Sequence, residues 1–331
     1  MSLDLKTSEP VFAKASRQGT VGLILSRASI PIAVVVLLII GAIASPSFLT
    51  TSNLLNVLNA NAAVGLAALG MTFVAVCGGL ADLSVPANVA MGALISLGAQ
   101  PAIGPVPAVI LGILVATLGG VINGILVGYF RINPIIATLG TGTAILGLSQ
   151  LLIGGGIVYG KPSALANLVS GNFLGIPVFV WIFVVVAIVL HPLLSRTAWG
   201  RWNHAVGGNY VASAASAVPV RLTKASAFVL TGLLSGVCGA LLGLSNGQAR
   251  PIVGTGYEFV AITAVVIGGT SLFGGTGSIL RTVGGVIITA LIGNLIILIG
   301  LPTQTTGLVT GVIVLVAVSV DAYFRRKAGR E

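Results

Sequence analysis

The glycine-rich stretch 261–286 is the first place in this sequence to look for a reactive motif. It reads AITAVVIGGTSLFGGTGSILRTVGGV, so closely spaced glycines interrupt an apolar run that then resumes. The spacing from Gly269 to Gly274 fits the start of a phosphate-binding loop, but Gly275 stands where such a loop requires its lysine. We therefore interpret the stretch as a sharp break between packed helices and expect no nucleotide to bind there. The glycines with a predicted structural or gating role are Gly268, Gly269, Gly274, Gly275 and Gly277.

Acidic side chains are too few and too scattered for catalysis. Only Asp82 and Glu258 lie in the body of the chain, and the other four acids lie near its ends. The sequence contains no paired carboxylates, no metal-binding cluster and no nucleophile with a base, so we expect no catalytic residue, no metal and no cofactor. Ion-driven carriers need ionisable groups within the membrane. The scarcity of such groups in this chain indicates that ion gradients do not supply the energy for its function. We expect Asp82 to have a structural or gating role.

The composition identifies a polytopic membrane protein. Of the 331 residues, 56% are hydrophobic and 7% are charged, whereas soluble domains carry roughly 25% charged residues. Long apolar runs without alternation exclude a barrel and predict an all-α fold of about ten transmembrane helices. The third and eighth runs are short enough to be broken or partly re-entrant. The ten runs are 28–44, 54–77, 84–99, 106–130, 134–153, 173–194, 222–244, 259–272, 279–299 and 307–324.

Basic residues predict the orientation of these helices. With both termini in the cytoplasm, fourteen Lys and Arg residues fall on the inner side, and only Lys161 and Arg250 fall outside. We therefore predict a cytoplasmic tail over 1–27, a transmembrane domain over 28–324 and a second cytoplasmic tail over 325–331. The pI of about 10.3 then reflects topology rather than nucleic-acid binding. Glycines four residues apart, as in Gly120-Gly124-Gly128, Gly232-Gly236, Gly239-Gly243 and Gly307-Gly311, predict close helix packing.

The longest internal loop on the predicted cytoplasmic side covers residues 195–221. Its tryptophans Trp199 and Trp202 and its Tyr210 suit either a membrane interface or a protein partner, and the residue types alone do not decide. Small Ala and Ser residues that end at Pro219 predict a short surface helix. His204 stands alone in this loop, and we expect it to be interfacial rather than catalytic.

Four segments together resemble the permease subunits of ribose-type sugar ABC importers, which share a superfamily with branched-chain amino acid permeases. In the 195–221 loop, the similar residues are GR at 200–201, AVGGN at 205–209 and VPV at 218–220. The other segments are GG at 78–79 with DLSV at 82–85, PIIATLG at 134–140, and the glycine-rich stretch that follows Glu258. Ala81 is an extra residue relative to the family pattern, and Pro86 and Ala217 replace its usual glycines.

The resemblance implies an inner-membrane permease that forms the translocation pathway of an ATP-driven importer for a sugar or a similar polyol. It implies as partners an ATPase subunit with tandem nucleotide-binding domains that holds ATP and Mg, a solute-binding protein outside, and a second permease copy or paralogue in the bilayer. The loop 195–221 would couple the permease to the ATPase. The predicted contact residues are Gly200, Arg201, Gly207, Gly208, Asn209 and Ala212.

A sugar passage needs scattered hydrogen-bonding groups rather than charges. The candidates are Asn56, Asn59, Asn61, Asn88, Thr138, Thr141, Gln150, Asn246, Gln248 and Asn294. Each of them has an alternative role in an interhelical hydrogen bond or at an exposed helix end. Two other functions also stay open, a permease for branched-chain amino acids or nucleosides and an ion-coupled carrier or channel.

Overall fold

Helices make up most of the computed structural model, which describes residues 20–302 and 304–327, so most of both predicted tails lies outside it. The all-α prediction is confirmed in this general form. The helices are α1 (Thr20–Ala44), α2 (Thr51–Val76), α3 (Val85–Gly98), α4 (Gln100–Ile103), α5 (Pro105–Gly128), α6 (Pro134–Ile153), α7 (Ala164–Ser170), α8 (Val178–Arg196), α9 (Ala198–Gly208), α10 (Tyr210–Ala215), α11 (Val220–Asn246), α12 (Tyr257–Ile267), α13 (Ile279–Leu298) and α14 (Gln304–Lys327). The short strands are β1 (Val158–Tyr159), β2 (Asn172–Phe173), β3 (Ile176–Pro177) and β4 (Gln248–Ala249).

Each of the ten predicted apolar runs coincides with one apolar helix. Within the described ranges, six helices are long and apolar enough to cross a membrane, namely α2, α5, α6, α8, α11 and α13. Shorter apolar segments lie in α1, α3, α12 and α14. The third and eighth runs, which the sequence predicts to be short, are α3 with 14 residues and α12 with 11.

Three predicted boundaries differ from the structure. The first run is predicted from residue 28, but α1 already begins at Thr20. The other two differ because local backbone hydrogen bonds replace helix. The sixth run is predicted from residue 173, but α8 begins at Val178 because β2 and β3 form a small hairpin before it. The eighth run is predicted to residue 272, but α12 ends at Ile267, where the glycine-rich loop begins. Gly269, near the end of the predicted run, and Gly274, in the loop just after it, have positive φ angles that a helix does not contain.

The second helix lies at the centre of the bundle. Every residue from 62 to 77 is buried, and α2 packs against α8, α11, α12 and α13. A helix that is apolar and small on all sides can be enclosed on all sides, which explains this position. Its first turns differ, because Ser52, Asn56 and Asn59 are exposed.

Glycines join α3, α5 and α11 at very short distances. A Cβ added to Gly120 would lie 3.0 Å from the Cα of Gly232, and one added to Gly236 would lie 3.0 Å from the carbonyl oxygen of Ile113. The predicted close packing is confirmed here. Within this chain, Gly307 and Gly311 make no such contact, because a Cβ at either would meet no described atom within 4 Å.

The connections gather at two opposite ends of the bundle. At one end, β1 pairs with β4, and we call this the hairpin end. At the other, which we call the junction end, the α2–α3 break, α9 and the α12–α13 loop meet. The hairpin end carries Lys161 and Arg250, while the junction end carries Arg131, Arg196, Arg201, Arg221, Lys224 and Arg281.

Candidate functional site

Three glycine-bearing breaks meet at one point, which we call the glycine junction. It consists of Gly78 after α2, Gly207 and Gly208 at the end of α9, and Gly274 and Gly275 before α13. A Cβ added to Gly274 would lie 2.7 Å from the Cα of Gly207 and 2.9 Å from that of Gly78. One added to Gly275 would lie 3.0 Å from the Cα of Gly208. Backbone therefore meets backbone here, and no side chain fits between the segments.

A hydrogen bond between two of these segments lies beneath α9. The Gly275 amide donates to the Val76 carbonyl at 2.9 Å. A Cβ added to Gly207 would collide with that carbonyl oxygen and would lie 2.5 Å from the Gly275 nitrogen. Gly274 and Gly275 have φ angles of 99° and 83°, in the left-handed region that favours glycine. The predicted break is confirmed, and Gly78 lies at a second break, between α2 and α3.

The remaining glycines of the predicted gating set pack around the same loop. Gly268 lies against the start of α13, where an added Cβ would be 2.6 Å from the Arg281 carbonyl oxygen. Gly277 packs against Val76 and Thr270. Gly269 has a φ of 76°, and the space around it is more open. Their role in gating stays a prediction.

Aromatic and polar contacts attach α9 to the helices above it. The Trp199 ring stacks on Phe73 of α2 with centroids 4.8 Å apart, and its Nε1 donates to Ser226 Oγ of α11 at 2.7 Å. His204 Nδ1 lies 3.2 Å from the carbonyl oxygen of Gly275. His204 is therefore bonded to the glycine junction. These contacts connect α9 to α2, to α11 and to the α12–α13 loop.

The predicted partner-contact residues divide into two groups. Arg201, Gly208, Asn209 and Ala212 are exposed on α9 and α10, and we call them the α9–α10 surface. Gly200 and Gly207 are predicted as partner contacts too. In the structure they pack against backbone atoms of the same chain, which is possible because glycine has no side chain. Gly200 is buried, and a Cβ there would lie 2.7 Å from the carbonyl oxygen of Leu193.

Asn209 also has a local structural role. It is the N-cap of α10, where its Oδ1 accepts from the Ala212 amide at 2.9 Å. The surface helix predicted for the Ala- and Ser-rich segment is confirmed as α10, and a second helix, α9, precedes it.

Asp82 lies at the centre of a buried polar network between α3, α5 and α6. Its Oδ1 accepts from the Ser84 amide at 2.9 Å and from Ser84 Oγ at 2.6 Å. Ser84 Oγ in turn accepts from the amides of Asn88 and Asn123 at 3.1 and 2.8 Å. Thr141 Oγ1 donates to Asn123 Oδ1 at 2.5 Å. This network joins the α2–α3 break to two neighbouring helices, which fits the predicted structural role of Asp82.

Several candidate pathway residues are used inside the bundle. Asn88 and Thr138 are fully buried, and Thr138 Oγ1 accepts from the Leu83 amide at 3.0 Å. Asn294 exchanges two amide hydrogen bonds with Asn53, at 2.9 and 3.0 Å. In this conformation these hydrogen bonds, and the one from Thr141 to Asn123, fit the alternative role of joining neighbouring segments of the bundle. The part of these residues in a pathway stays a prediction.

A large cavity at the hairpin end contains other candidates. Its volume is about 680 Å³, and we call it the outer cavity. The lining residues are Thr51, Ser52, Leu55, Asn56, Asn59, Ala60, Val169, Ser170, Asn172, Pro177, Phe179, Leu242, Ser245 and Asn246. Eight of the fourteen carry a hydroxyl or an amide and none carries a charge, so the cavity suits a neutral, hydroxyl-rich ligand.

The remaining candidates lie near the outer cavity or on helix ends. Gln248 and Arg250 line a separate, open pocket of about 400 Å³. Asn61 Nδ2 donates to the Val57 carbonyl of its own helix at 2.9 Å, and Gln150 is exposed near the end of α6. Their predicted part in a pathway stays a prediction.

Some of the residues that build these sites are missing from the sequence-based predictions. Ser84 and Asn123 organise the Asp82 network, and Ser52 lines the outer cavity. Ser52, Asn56 and Asn59 are spaced i, i+4 and i+7, so helical periodicity on α2 could have grouped them. No signal of this kind pairs Trp199 with Phe73, because that contact depends on the fold. Among the residues that the structure describes, no three His, Cys, Asp or Glu side chains form a metal site.

Comparison with known proteins connects this arrangement to a family. The family model described as branched-chain amino acid transport system / permease component matches residues 53–318. The ribose import permease protein RbsC of Bacillus subtilis (strain 168) is 39% identical over 289 residues, which cover 86% of this chain and 89% of that protein. The L-arabinose transport system permease protein AraH of Escherichia coli (strain K12) is 34% identical over 300 residues, covering 89% and 90%.

A third relative has a different sugar in its name. The D-allose transport system permease protein AlsC of Escherichia coli (strain K12) is 32% identical over 292 residues, which cover 87% of this chain and 88% of that protein. No solved structure matches this chain significantly.

Proposed function

Because the chain belongs to the family of branched-chain amino acid transport system permease components, we propose that it is the membrane permease subunit of an ATP-driven importer that carries a sugar. The predicted family resemblance is confirmed. The three relatives with named sugars each align over most of this chain. As a permease of this kind, the chain is a multi-pass protein of the inner membrane and a transport subunit rather than an enzyme.

The polar, uncharged lining of the outer cavity is the observation that favours a sugar as the substrate. Its uncharged lining of amides and hydroxyls matches a pentose or hexose. An amino acid would bring both a carboxylate and an ammonium group, and each would lose hydration without a charged partner in the lining. A sugar is therefore favoured over a branched-chain amino acid.

The orientation follows from the two ends of the bundle. We place the junction end in the cytoplasm because it carries six of the eight basic residues named above, and the hairpin end outside. This assignment agrees with the predicted arrangement of ten membrane segments with both termini inside. The outer cavity then opens toward the side from which a solute-binding protein delivers its sugar, and the α9–α10 surface faces the ATPase.

Reconstituted transport tests this function. The chain is placed in proteoliposomes with an ATPase subunit and a solute-binding protein, and uptake of labelled ribose, arabinose, allose, leucine and a nucleoside is measured. We expect ATP-dependent uptake of a sugar. Uptake of leucine or the nucleoside alone would replace the sugar assignment, and uptake under an ion gradient without ATPase would indicate an ion-coupled carrier.

A pair of variants tests whether the outer cavity takes part. Asn59→Leu removes an amide from the lining while keeping the size of the side chain, so we expect a higher apparent KM for the sugar. Asn167→Ala, on α7 at the same end but outside the lining, is the matched control. If both variants transport like the unmodified protein, the cavity is not part of the route.

A cysteine crosslink tests the predicted ATPase contact. Ala212→Cys is a better position than Asn209→Cys, because Asn209 caps α10 and its loss costs about 1 kcal/mol. Ala212 is exposed, so the new thiol is accessible. The native cysteines Cys77 and Cys238 are buried and should not react. We expect Ala212→Cys to crosslink to the ATPase subunit and Lys161→Cys, at the hairpin end, to fail. The absence of any Ala212 crosslink in an assembled complex would refute the contact.

A further inference from the structure

A small basic pocket lies beside the glycine junction, at the edge of the α9–α10 surface, and the function proposed above assigns no ligand to it. Its volume is about 210 Å³, which is the space of roughly seven water molecules. Leu80, Arg131, Asn133, Tyr210 and Lys224 line it, so it lies where the α2–α3 break, the α5–α6 connection, α10 and α11 come together. We call it the Tyr210 pocket.

The positive charges of Arg131 and Lys224 both lie near the ring of Tyr210. The guanidinium carbon of Arg131 lies 5.8 Å from the ring centroid, and Lys224 Nζ lies 5.4 Å from it. Cation–π attraction holds each charge near the ring, but the two cations repel each other. Within the described part of the chain, neither cation forms a salt bridge with an acidic side chain. An anion in the pocket would reduce this repulsion.

The start of α6 adds to the positive potential. Pro134 is the first residue of α6, and the N-cap Asn133 accepts from the Ile135 amide at 2.9 Å. The N-terminal end of a 20-residue helix carries a partial positive charge, so this end and the two cations act in the same direction.

The backbone holds two lining residues in an unusual conformation. Leu80 and Arg131 have φ angles of 58° and 57°, in the left-handed region that side-chain-bearing residues rarely adopt. Such conformations persist when the surroundings fix them, and they concentrate at binding sites. Here the conformation of Arg131 turns the chain between α5 and α6 and keeps its charge at the pocket.

Exposed apolar side chains flank the basic residues. Phe130 and Ile136, on either side of the α5–α6 connection, are 69% and 67% exposed. In a protein that spans a membrane, these side chains lie where acyl chains are available. A ligand that satisfies both features has an anionic head and an apolar tail.

We propose that the Tyr210 pocket binds the phosphate group of an anionic phospholipid, with the acyl chains along Phe130 and Ile136. The pocket lies on the basic, junction end of the bundle, where a phosphate group of the inner leaflet meets Arg131 and Lys224. A carboxylate of a protein partner would satisfy the charges but would leave the apolar flank without a role. Because Gly78 also lines the pocket, the bound lipid adjoins the glycine junction.

Lipid retention measured by native mass spectrometry tests this proposal on the purified full-length chain. The chain is delipidated, then exposed to phosphatidylglycerol or to phosphatidylcholine, and bound lipid is counted. We expect one strongly held phosphatidylglycerol per chain and no equivalent phosphatidylcholine. Because a basic residue near an anionic lipid contributes roughly a factor of five in affinity, Arg131→Asn and Lys224→Gln should each weaken retention about fivefold. Asparagine is chosen because it tolerates the left-handed conformation.

The controls separate lipid from other anions and from loss of fold. Arg196→Gln removes a charge from the same end but outside the pocket, and it should retain phosphatidylglycerol like the unmodified chain. Thermal unfolding of each variant confirms that it is folded. Equal retention by all variants would overturn the proposal. Displacement of the lipid by millimolar inorganic phosphate would assign the site to free phosphate, and displacement by the ATPase subunit would assign it to a protein carboxylate; either outcome overturns the lipid assignment.

Discussion

Replacing Gly207 with alanine tests whether the glycine junction transmits motion between α9 and the membrane helices. The new Cβ would collide with the Val76 carbonyl oxygen, and it would lie 2.5 Å from the Gly275 nitrogen and 3.0 Å from the Gly274 Cα. All three are backbone atoms and cannot rotate away. To restore ordinary contact distances, α9 or the loop must move by at least about 1 Å, and the hydrogen bond from Gly275 to Val76 would break.

The size of the effect follows from this overpacking. Inserting one methyl group into a closely packed site costs about 1–3 kcal/mol. If the junction contacts form in only one of two transport states, that cost shifts the equilibrium between the states about 5- to 150-fold. Gly207 is helical, so alanine on its own favours the local conformation by up to about 1 kcal/mol. Any loss of transport therefore comes from the contact and not from the backbone of α9.

The adjacent glycine provides a matched control. Gly208 is also in α9, but a Cβ there would meet no described atom within 4 Å. Gly208→Ala should therefore leave the fit of α9 and the hydrogen bond from Gly275 to Val76 intact. Because Gly208 belongs to the α9–α10 surface, we expect uptake to fall in this variant only if ATPase binding falls with it.

Both variants are compared by ATP-driven uptake in proteoliposomes, with binding of the ATPase subunit measured in parallel. We expect Gly207→Ala to lose at least about fivefold in uptake while it still binds the ATPase. Equal uptake by the two variants would refute the hypothesis that the glycine junction transmits motion between α9 and the membrane helices. Loss of ATPase binding in Gly207→Ala would show that the substitution alters the α9–α10 surface instead.

Substitutions at three further residues test the surroundings of the junction. Asp82→Ala leaves the Ser84 amide without its acceptor, so we expect the free energy of unfolding to fall by about 1–3 kcal/mol. Asp82→Asn keeps an acceptor oxygen and should lower it less, and both variants are compared by thermal unfolding. Trp199→Phe keeps the stack on Phe73 and should retain most ATP-driven uptake, whereas Trp199→Ala should abolish it; equal uptake by both would contradict the anchoring role. Ala217 has a φ of 58°, so Ala217→Gly should raise the free energy of unfolding by up to about 1 kcal/mol. An unchanged thermal unfolding midpoint would contradict this reasoning.

The helices could be predicted from the sequence because lipid imposes a simple rule on it. A segment within the membrane must satisfy its own backbone, so length, apolarity and breakers locate helices such as α5 and α13 within a few residues. The same rule does not report which side of a helix is covered. Gly120 and Gly311 therefore look alike in the sequence, although one packs against α11 and the other meets open space.

The candidate sites could be predicted only in part. The glycine breaks near 78 and 274 were visible as interruptions of apolar runs, but their contact with Gly207 depends on three segments that are far apart in the chain. The buried partners of Asn88 and Asn294 were hidden for the same reason, since an amide that lines a passage and an amide that joins two helices have the same sequence signal.

The central helix connects the two sites that a transport cycle must coordinate. Asn59 of α2 lines the outer cavity, and Val76 at its other end accepts the hydrogen bond of the glycine junction. They are seventeen positions apart in the helix, which is about 25 Å at a rise of 1.5 Å per residue. Because α2 is buried from residue 62 onward and carries the Phe73 contact of α9, we expect a displacement of α9 to move α2 and, with it, the lining of the outer cavity. If the α9–α10 surface binds the ATPase as proposed, this route needs one helix and one close backbone contact, and Gly207 is the residue at which that contact can be changed without altering the exposed surface.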